Sequence, residues 1–239
     1  MEIIEQKENK LIFSKEINET LANAIRRYIN QIDVLAIDEL DISKNDAPLY
    51  DETLAHRIGL VPIKMPKKVG AKDEFKISLK TNKEGMVYSG ELKGDVEIVY
   101  DKAPLTFLNK NQELEISGIV KIGKGSDHVK FSPGILFYRN RVDIKIDKDC
   151  PKEIIETCPK NIFKIEGNKI VCQNKDKCDM CNMCVDYCDK LDKKCVEIKP
   201  SEELILTLES FGQMSTKDVL GNTINALKKD LDEVSKKIK

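Results

Sequence analysis

The sequence predicts an α+β chain in which helical segments at the two ends bracket a long β-rich middle. Three observations carry this expectation. Apolar residues recur at helical spacing near the start, in NETLANAIRRYINQI (18–32), and again in the C-terminal 25 residues. Between about residues 73 and 147 they alternate with period two instead. All eight cysteines then fall in one 46-residue window, 150–195. Helix-spaced ends around a strand-spaced centre are the pattern that an insertion into a parent fold leaves.

The elements follow in order. Residues 2–14 alternate weakly and predict one or two strands. Asn18 is placed to cap the first helix, whose apolar stripe is Leu21, Ala24, Ile25, Tyr28, Ile29 and Ile32. VLAIDELDIS (34–43) reads as a strand. YDETLAHRIG (50–59) reads as a short helix capped by Asp51 and stopped by Gly59, with LVPIKMP extended after it. The period-two positions are Phe75, Ile77 and Leu79; Val96 and Ile98; Leu114, Ile116, Val120 and Ile122; and Val142, Ile144 and Ile146. IFKIEGNKIV (162–171) predicts a hairpin turning at Gly167-Asn168, and ELILTLESFG (203–212) a further strand.

The last helix opens on Ser215 and Asp218, spaced as a capping box. Its apolar residues Leu220, Ile224, Leu227, Leu231, Val234 and Ile238 step by 4, 3, 4, 3 and 4. That seam is narrower than the stripe of a helix lying on a globular core, and it suits a partner helix. The chain's own first helix is the internal alternative. An intermolecular partner is favoured, because two helices rarely bury each other's seams in full.

Composition sets the bounds. The chain's 239 residues with 41% apolar content suffice for one large or two modest domains. Forty basic residues against 41 acidic leave a net charge of −1, so whole-molecule charge argues for neither nucleic acid nor an anionic membrane. The start, MEIIEQKENK, is charged, and no stretch reaches the roughly eighteen apolar residues of a membrane helix. The expected location is cytoplasmic and unanchored. No P-loop, acidic magnesium motif or Ser/His or Cys/His dyad stands out, so no catalytic residue is assigned.

Cysteines clustered in this way in a reducing cytosol read as metal ligands rather than disulfides. CDMCNMCVDYC (178–188) has the C-x2-C-x2-C-x3-C spacing that holds iron–sulfur clusters in bacterial-type ferredoxins, where the fourth cysteine serves a second cluster. Zinc ranks lower, because its sites pair separated knuckles and the two histidines, His56 and His128, lie outside the window. In the two-cluster pattern, a Cys-Pro cysteine from the other run completes each cluster. Cys158-Pro159 has that form, while the other positions of its run hold Lys148, Pro151 and Ile154. The expectation is one [4Fe–4S] cluster on Cys158, Cys178, Cys181 and Cys184, with Cys188 left over. A [3Fe–4S] cluster on Cys178, Cys181 and Cys184 is the fallback. Two alternatives stay open: Cys188 as fourth ligand, and a second site on Cys150, Cys172, Cys188 and Cys195.

Four segments together, NETLANAIRRYI (18–29), LYDETLAHRIGLVPI (49–63), GKGSDHVKFSP (123–133) and ESFGQMS (209–215), resemble the D-subunit family of archaeal RNA polymerases, counterpart of the eukaryotic third-largest subunit and of the bacterial α-subunit N-terminal domain. The resemblance implies a discontinuous α/β dimerisation domain (1–45 and 200–239), an inserted mainly β domain (46–147) and a small ferredoxin-like iron–sulfur module (148–199). It implies a non-catalytic scaffold that pairs with subunit L through helices, joins the small zinc subunits N and P, and nucleates assembly with the large catalytic subunits. The interface residues so implied are Leu21, Ile25, Arg26, Arg27, Leu220, Ile224, Leu227, Leu231 and Val234, with Arg26 and Arg27 toward the large subunits. Solvated surface charge accounts equally well for either arginine taken singly, while an adjacent pair is notable among only five arginines. Asp51, Glu52, His56 and Arg57 read as surface pairs on a capped helix, and His128 as a loop residue.

A free-standing ferredoxin-like electron carrier is the competing function. It leaves about 150 residues before the cysteine run unexplained. A DNA-binding regulator would need a helix-turn-helix or basic stripe that the sequence lacks, and no sequence-specific DNA binding is expected.

Overall fold

The computed structural model describes residues 1–66, 70, 73–167 and 169–238. In chain order they form β1 (Glu2–Lys7), β2 (Lys10–Glu16), α1 (Glu19–Tyr28), β3 (Asp33–Asn45), α2 (Asp51–Gly59), β4 (Phe75–Thr81), β5 (Gly85–Tyr88), β6 (Lys93–Gly94), β7 (Pro104–Leu108), β8 (Leu114–Lys124), β9 (Gly134–Ile146), α3 (Ile154–Thr157), β10 (Phe163–Glu166), β11 (Lys169–Cys172), α4 (Met183–Asp189), β12 (Val196–Ser210) and α5 (Thr216–Ile238). The fold is α+β. The chain forms two compact units: residues 1–6, 12–22 and 137–207, and residues 7–11, 23–136 and 208–239.

In the first unit, β1, β2, β12 and β9 line up in that order, and β10 and β11 form the expected hairpin. Gly167 takes φ +64° at its turn, a left-handed value that costs glycine least. Asn168 lies outside the described residues. One buried cluster is unusual in composition: five of its ten buried members are cysteines (158, 178, 184, 188 and 195), packed with Val142, Ile154, Ile162, Phe163 and Val196. Half of this cluster is therefore cysteine, and its apolar side chains alone make a small core.

The second unit has a conventional core. Its main sheet has the order β3-β8-β4-β6 and packs α2 through Leu54 and Ile58, both wholly buried. The first half of β3 buries Val34, Leu35, Ala36 and Ile37 in succession, so both its faces are covered there. The β3–β8 register slips between Ile37 and Glu39, leaving Asp38 as an extra residue whose carboxylate accepts from Lys130 Nζ at 2.6 Å.

Asn30, just past α1, ties distant segments of this unit together. Its side-chain oxygen accepts from Ser132 Oγ at 2.9 Å, and its carbonyl accepts from Ser126 N at 3.0 Å. The Ser132 carbonyl accepts from Gln213 Nε2 at 3.1 Å, and the Gln213 carbonyl from Met65 N at 2.9 Å. The loop GKGSDHVKFSP fits here because its glycines leave room: a Cβ on Gly125 would lie 2.6 Å from Asn30 Oδ1, and one on Gly123 would lie 2.6 Å from the Phe131 ring.

Both long helices start as the sequence predicts. Leu21 N donates to Asn18 Oδ1 at 2.8 Å, and Asp218 N to Ser215 Oγ at 3.2 Å. The α2 helix departs from expectation at both ends. Its N-cap is Tyr50, which offers no side-chain cap; Asp51 sits inside the first turn and accepts from Asn45 Nδ2 at 2.7 Å. Gly59 stays helical, and the chain leaves the helix at Leu60, with φ −85°.

Two glycine substitutions should move stability in opposite directions. Gly123→Ala should destabilise by about 1–3 kcal/mol through overpacking against Phe131. Gly221→Ala, on an exposed turn of α5 with nothing near its missing Cβ, should stabilise by about 0.5–1 kcal/mol. Chemical denaturation of the purified chain measures both.

Candidate functional site

The cysteine run winds because two of its residues take left-handed backbone conformations. Met180 has φ +57° and Asn182, the N-cap residue of α4, has φ +58°, one on each side of Cys181. Neither is glycine, so these conformations cost energy that the surroundings must offset. Cys178 and Cys184 are left 5% exposed, while Cys181 is on the surface. Cys158, 6% exposed, follows α3, which packs on α4.

Burial pushes the Cys184 thiol up to about 11; the Val185 N–H pulls it back, and neighbouring Cys158 and Cys178 raise it again. Cys178 is raised by burial first, against the Met180 N–H, with Cys181 and Cys158 adding to the rise. Cys172 is raised by burial and then by Cys178 and Cys158, against the Asn174 backbone. Cys158, Cys178 and Cys184 belong to one buried cluster and influence one another electrostatically, and exposed Cys181 acts on Cys178. Buried thiols that already accept backbone N–H bonds, in an apolar shell, fit a metal or cluster that would take them as thiolates.

The other cysteines gather separately. The sulfurs of Cys150, Cys188 and Cys195 all lie within 4.8 Å of one another. Cys188, the last cysteine of the run, therefore gathers with two cysteines from outside the run, while its thiol is also raised by Cys184. Of the four cysteines in the alternative second site, the sulfur of Cys172 is not part of this group.

Sequence reasoning missed the residues that hold the run in place. Arg139 and Arg141 lie on one face of β9, two positions apart. Arg139 donates to the Cys178 carbonyl at 2.7 Å and to the Asp176 carbonyl. Arg141 grips both Asp176 oxygens, at 2.7 and 3.2 Å, and reaches Glu203 at 2.7 Å and Glu2 at 2.9 Å. These carboxylates hold its guanidinium above its ordinary pKa, Asp176 most strongly. The available signal was composition: with five arginines against 35 lysines, an R-x-R on a strand marks sites where a planar fork matters.

The expected interface residues divide. On α1, Leu21, Arg26 and Arg27 are exposed and Ile25 is half-buried; Arg26 donates to Asn23 Oδ1. On α5, Leu220 and Ile224 are half-buried and Leu227 is buried. The covered face also includes Val219 and Thr223, off the predicted seam. Here α5 lies on the turn Ile29–Gln31, and Tyr28 OH donates to Asp230 at 3.0 Å. Farther along, Leu231, Val234 and Ile238 are 59%, 53% and 80% exposed. His128 is a loop residue whose Nδ1 accepts from Lys130 N, and Arg57 donates to the Pro104 carbonyl. Among the described residues no helix is long and apolar enough to cross a membrane.

A family model described as the RNA polymerase Rpb3/RpoA insert domain matches residues 41–137, which sets the chain in the class of polymerase subunits that carry this insert. Subunit Rpo3 of the DNA-directed RNA polymerase of Methanosphaera stadtmanae is 31% identical, the match covering 98% of this chain and 96% of that one. The Rpo3 subunits of Methanothermobacter thermautotrophicus (32%, covering 89% and 88%) and Archaeoglobus fulgidus (29%, covering 99% and 96%) are similarly related. The chain belongs to the archaeal Rpo3 family, non-catalytic assembly subunits of DNA-directed RNA polymerase. Matches over nearly the whole length disfavour the free-standing electron carrier, which would account for the cysteine window alone.

Removing the guanidinium at Arg141 should cost about 1.5–3 kcal/mol, the range for hydrogen bonds to charged groups. In Arg141→Ala and Arg139→Ala, amide hydrogen exchange should speed up across 175–181 while β3 and β8 keep their protection. Uniform protection in both variants would show that the two arginines do not hold the run.

Proposed function

We propose that this chain is the scaffold that pairs with the smaller subunit L of the same polymerase, using α1 and the exposed half of α5. The pair, with the small zinc subunits N and P, then receives the large catalytic subunits in the cytoplasm. The observation that carries this reading is the row Leu231, Val234 and Ile238, which continues the heptad seam into solvent beyond the buried Leu227. An apolar seam sustained past the point where the fold covers it suits a partner helix. No direct sequence-specific contact with DNA is part of the role.

A second element of the proposal is one [4Fe–4S] cluster on Cys158, Cys178, Cys181 and Cys184, with [3Fe–4S] on the last three as the lesser form. The cluster's contribution is chiefly structural: it cross-links α3, the run and α4 where apolar side chains are few. Cys158 raises both the Cys178 and the Cys184 thiols, and Cys188 lies within 4.8 Å of Cys150 and Cys195; both observations support Cys158 over Cys188 as fourth ligand.

Two experiments test these statements separately. Leu231→Asp and Val234→Asp change exposed side chains, so both variants should fold normally yet weaken capture of subunit L by more than about 100-fold, since a buried unpaired charge costs several kcal/mol. Unchanged affinity in both would sink the α5 assignment. After anaerobic purification, Cys188→Ser should retain about four irons per chain while Cys158→Ser loses or degrades the cluster; the reverse pattern would move the fourth ligand to Cys188.

A further inference from the structure

Cys150, Cys188 and Cys195 come from three different elements. Cys150 follows β9, Cys188 lies in the last turn of α4, and Cys195 immediately precedes β12. Backbone hydrogen bonds fix their approach. Asp147 N donates to the Cys195 carbonyl at 2.9 Å, and Cys150 N to the Asp147 carbonyl at 3.4 Å. The Cys188 carbonyl accepts from both Leu191 N and Lys193 N at 3.0 Å, closing the turn that returns the chain to Cys195. Asp192 takes φ +53° inside that turn. Cys188 and Cys195 are 1% and 5% exposed, and Cys150 is half-buried.

The sulfur spacing selects the kind of ligand. A single zinc ion with Zn–S bonds of about 2.3 Å places its tetrahedral sulfurs roughly 3.8 Å apart. Three sulfurs that already lie within 4.8 Å of one another need little movement to reach that arrangement. A cubane instead puts each thiolate on a different iron and so spreads its sulfurs more widely. Cys150 also lines a cavity of about 260 Å³ whose wall carries Lys148, Lys152, Lys169 and Lys193 against one carboxylate, Asp149. Three thiolates around a divalent ion carry a net charge of −1, and these lysines are placed to offset it. The cavity leaves room for a water or a small anion as fourth ligand.

We infer that Cys150, Cys188 and Cys195 form a second, mononuclear site for a thiophilic divalent cation, zinc by its chemistry, with one coordination position open toward the lysine-lined cavity. The site does not depend on the iron–sulfur proposal, since it uses none of those four cysteines. Its occupant would tie the end of α4 to both strands that flank the cysteine window, β9 and β12. The three positions, 38 and 7 residues apart, follow no standard metal-motif spacing, and the sequence grouped them only within a four-cysteine alternative that included Cys172.

The test uses the full-length chain, reduced and handled without oxygen. After iron and sulfide loading, Co²⁺ is titrated as a spectroscopic stand-in for Zn²⁺. The expected result is one Co²⁺ per chain with the intense absorption of a tetrahedral thiolate site. Affinity should fall by more than about 100-fold in both Cys188→Ser and Cys195→Ser, beyond the loss seen on removing outer-shell partners. If iron does not load, the triple variant Cys178→Ser/Cys181→Ser/Cys184→Ser should still bind one Co²⁺, which separates this site from the cluster. Where a variant fails to fold, Zn²⁺-dependent protection of Cys150 from alkylation in the unsubstituted chain, mapped by mass spectrometry, gives the same answer. Equal Co²⁺ binding with and without Cys188 and Cys195, alkylation of Cys150 unaffected by one equivalent of Zn²⁺, or a Cys188–Cys195 disulfide persisting in reductant would each overturn the inference.

Discussion

The contact on which the second unit depends is the buried chain of polar groups from Asn30 through Ser132 to Gln213 and Met65. Each lies in or beside one of four segments far apart in sequence, and Ser132 and Gln213 are only 9% and 4% exposed. A buried amide or hydroxyl without a partner costs roughly 1–3 kcal/mol, so the pairs in this chain form only when all the segments are in place together; Gln213 Oε1 stays unpaired among the described residues. That requirement makes the unit's assembly from separated stretches cooperative. It also accounts for Gly123 and Gly125, whose missing side chains admit Phe131 and Asn30. The distinctive composition of that loop thus has a packing cause that involves no catalysis.

The first unit meets a different constraint. One of its buried clusters is half cysteine, and the thiols with resolved shifts are raised by desolvation. Neutral thiols pack as small hydrophobes, but each gains far more when a metal takes it as a thiolate. Arg139 and Arg141 supply the rigid half of the arrangement, by fixing the carbonyls and carboxylate at the entrance to the run. Their five-donor forks meet two carbonyls and three carboxylates, a load that lysine's point charge could not distribute in the same geometry.

How much of this was legible in the sequence depended on whether the signal was local. The Asn18 and Ser215 caps, the β10–β11 hairpin and the α5 span were readable because each is encoded within a few residues. The covered face of α5 was misread at Thr223, which is 1% exposed although threonine counts as polar in a periodicity. Its hydroxyl donates to the Val219 carbonyl at 2.7 Å, one turn back, and so is satisfied inside the helix. Asp51 has the residue type of a cap, but the chain enters α2 one residue earlier. Arg139 and Arg141 alternate on a strand in a way that reads as a solvated face, because their partners lie some 35 residues onward. The Cys150, Cys188 and Cys195 trio depends on tertiary structure alone, since no spacing rule relates a loop, a helix end and a strand entrance.

The division of labour between the two cores bears on how such a polymerase component behaves in its complex. The second unit's buried cluster of Leu, Ile and Val contains no cysteine, and the same unit carries α5 with its exposed Leu231, Val234 and Ile238. The first unit holds every cysteine in the chain. A bound metal stabilises only the structure whose native state it binds, by an amount that grows with the logarithm of its free concentration over its dissociation constant. On the metal assignments proposed above, scarcity of metal therefore loosens the cysteine core first and leaves the apolar core that presents α5 intact. On the pairing proposed above, the α5 part of the partner surface is then available whatever the state of the sulfur ligands, while the start of α1, with Leu21, belongs to the unit that the metal stabilises.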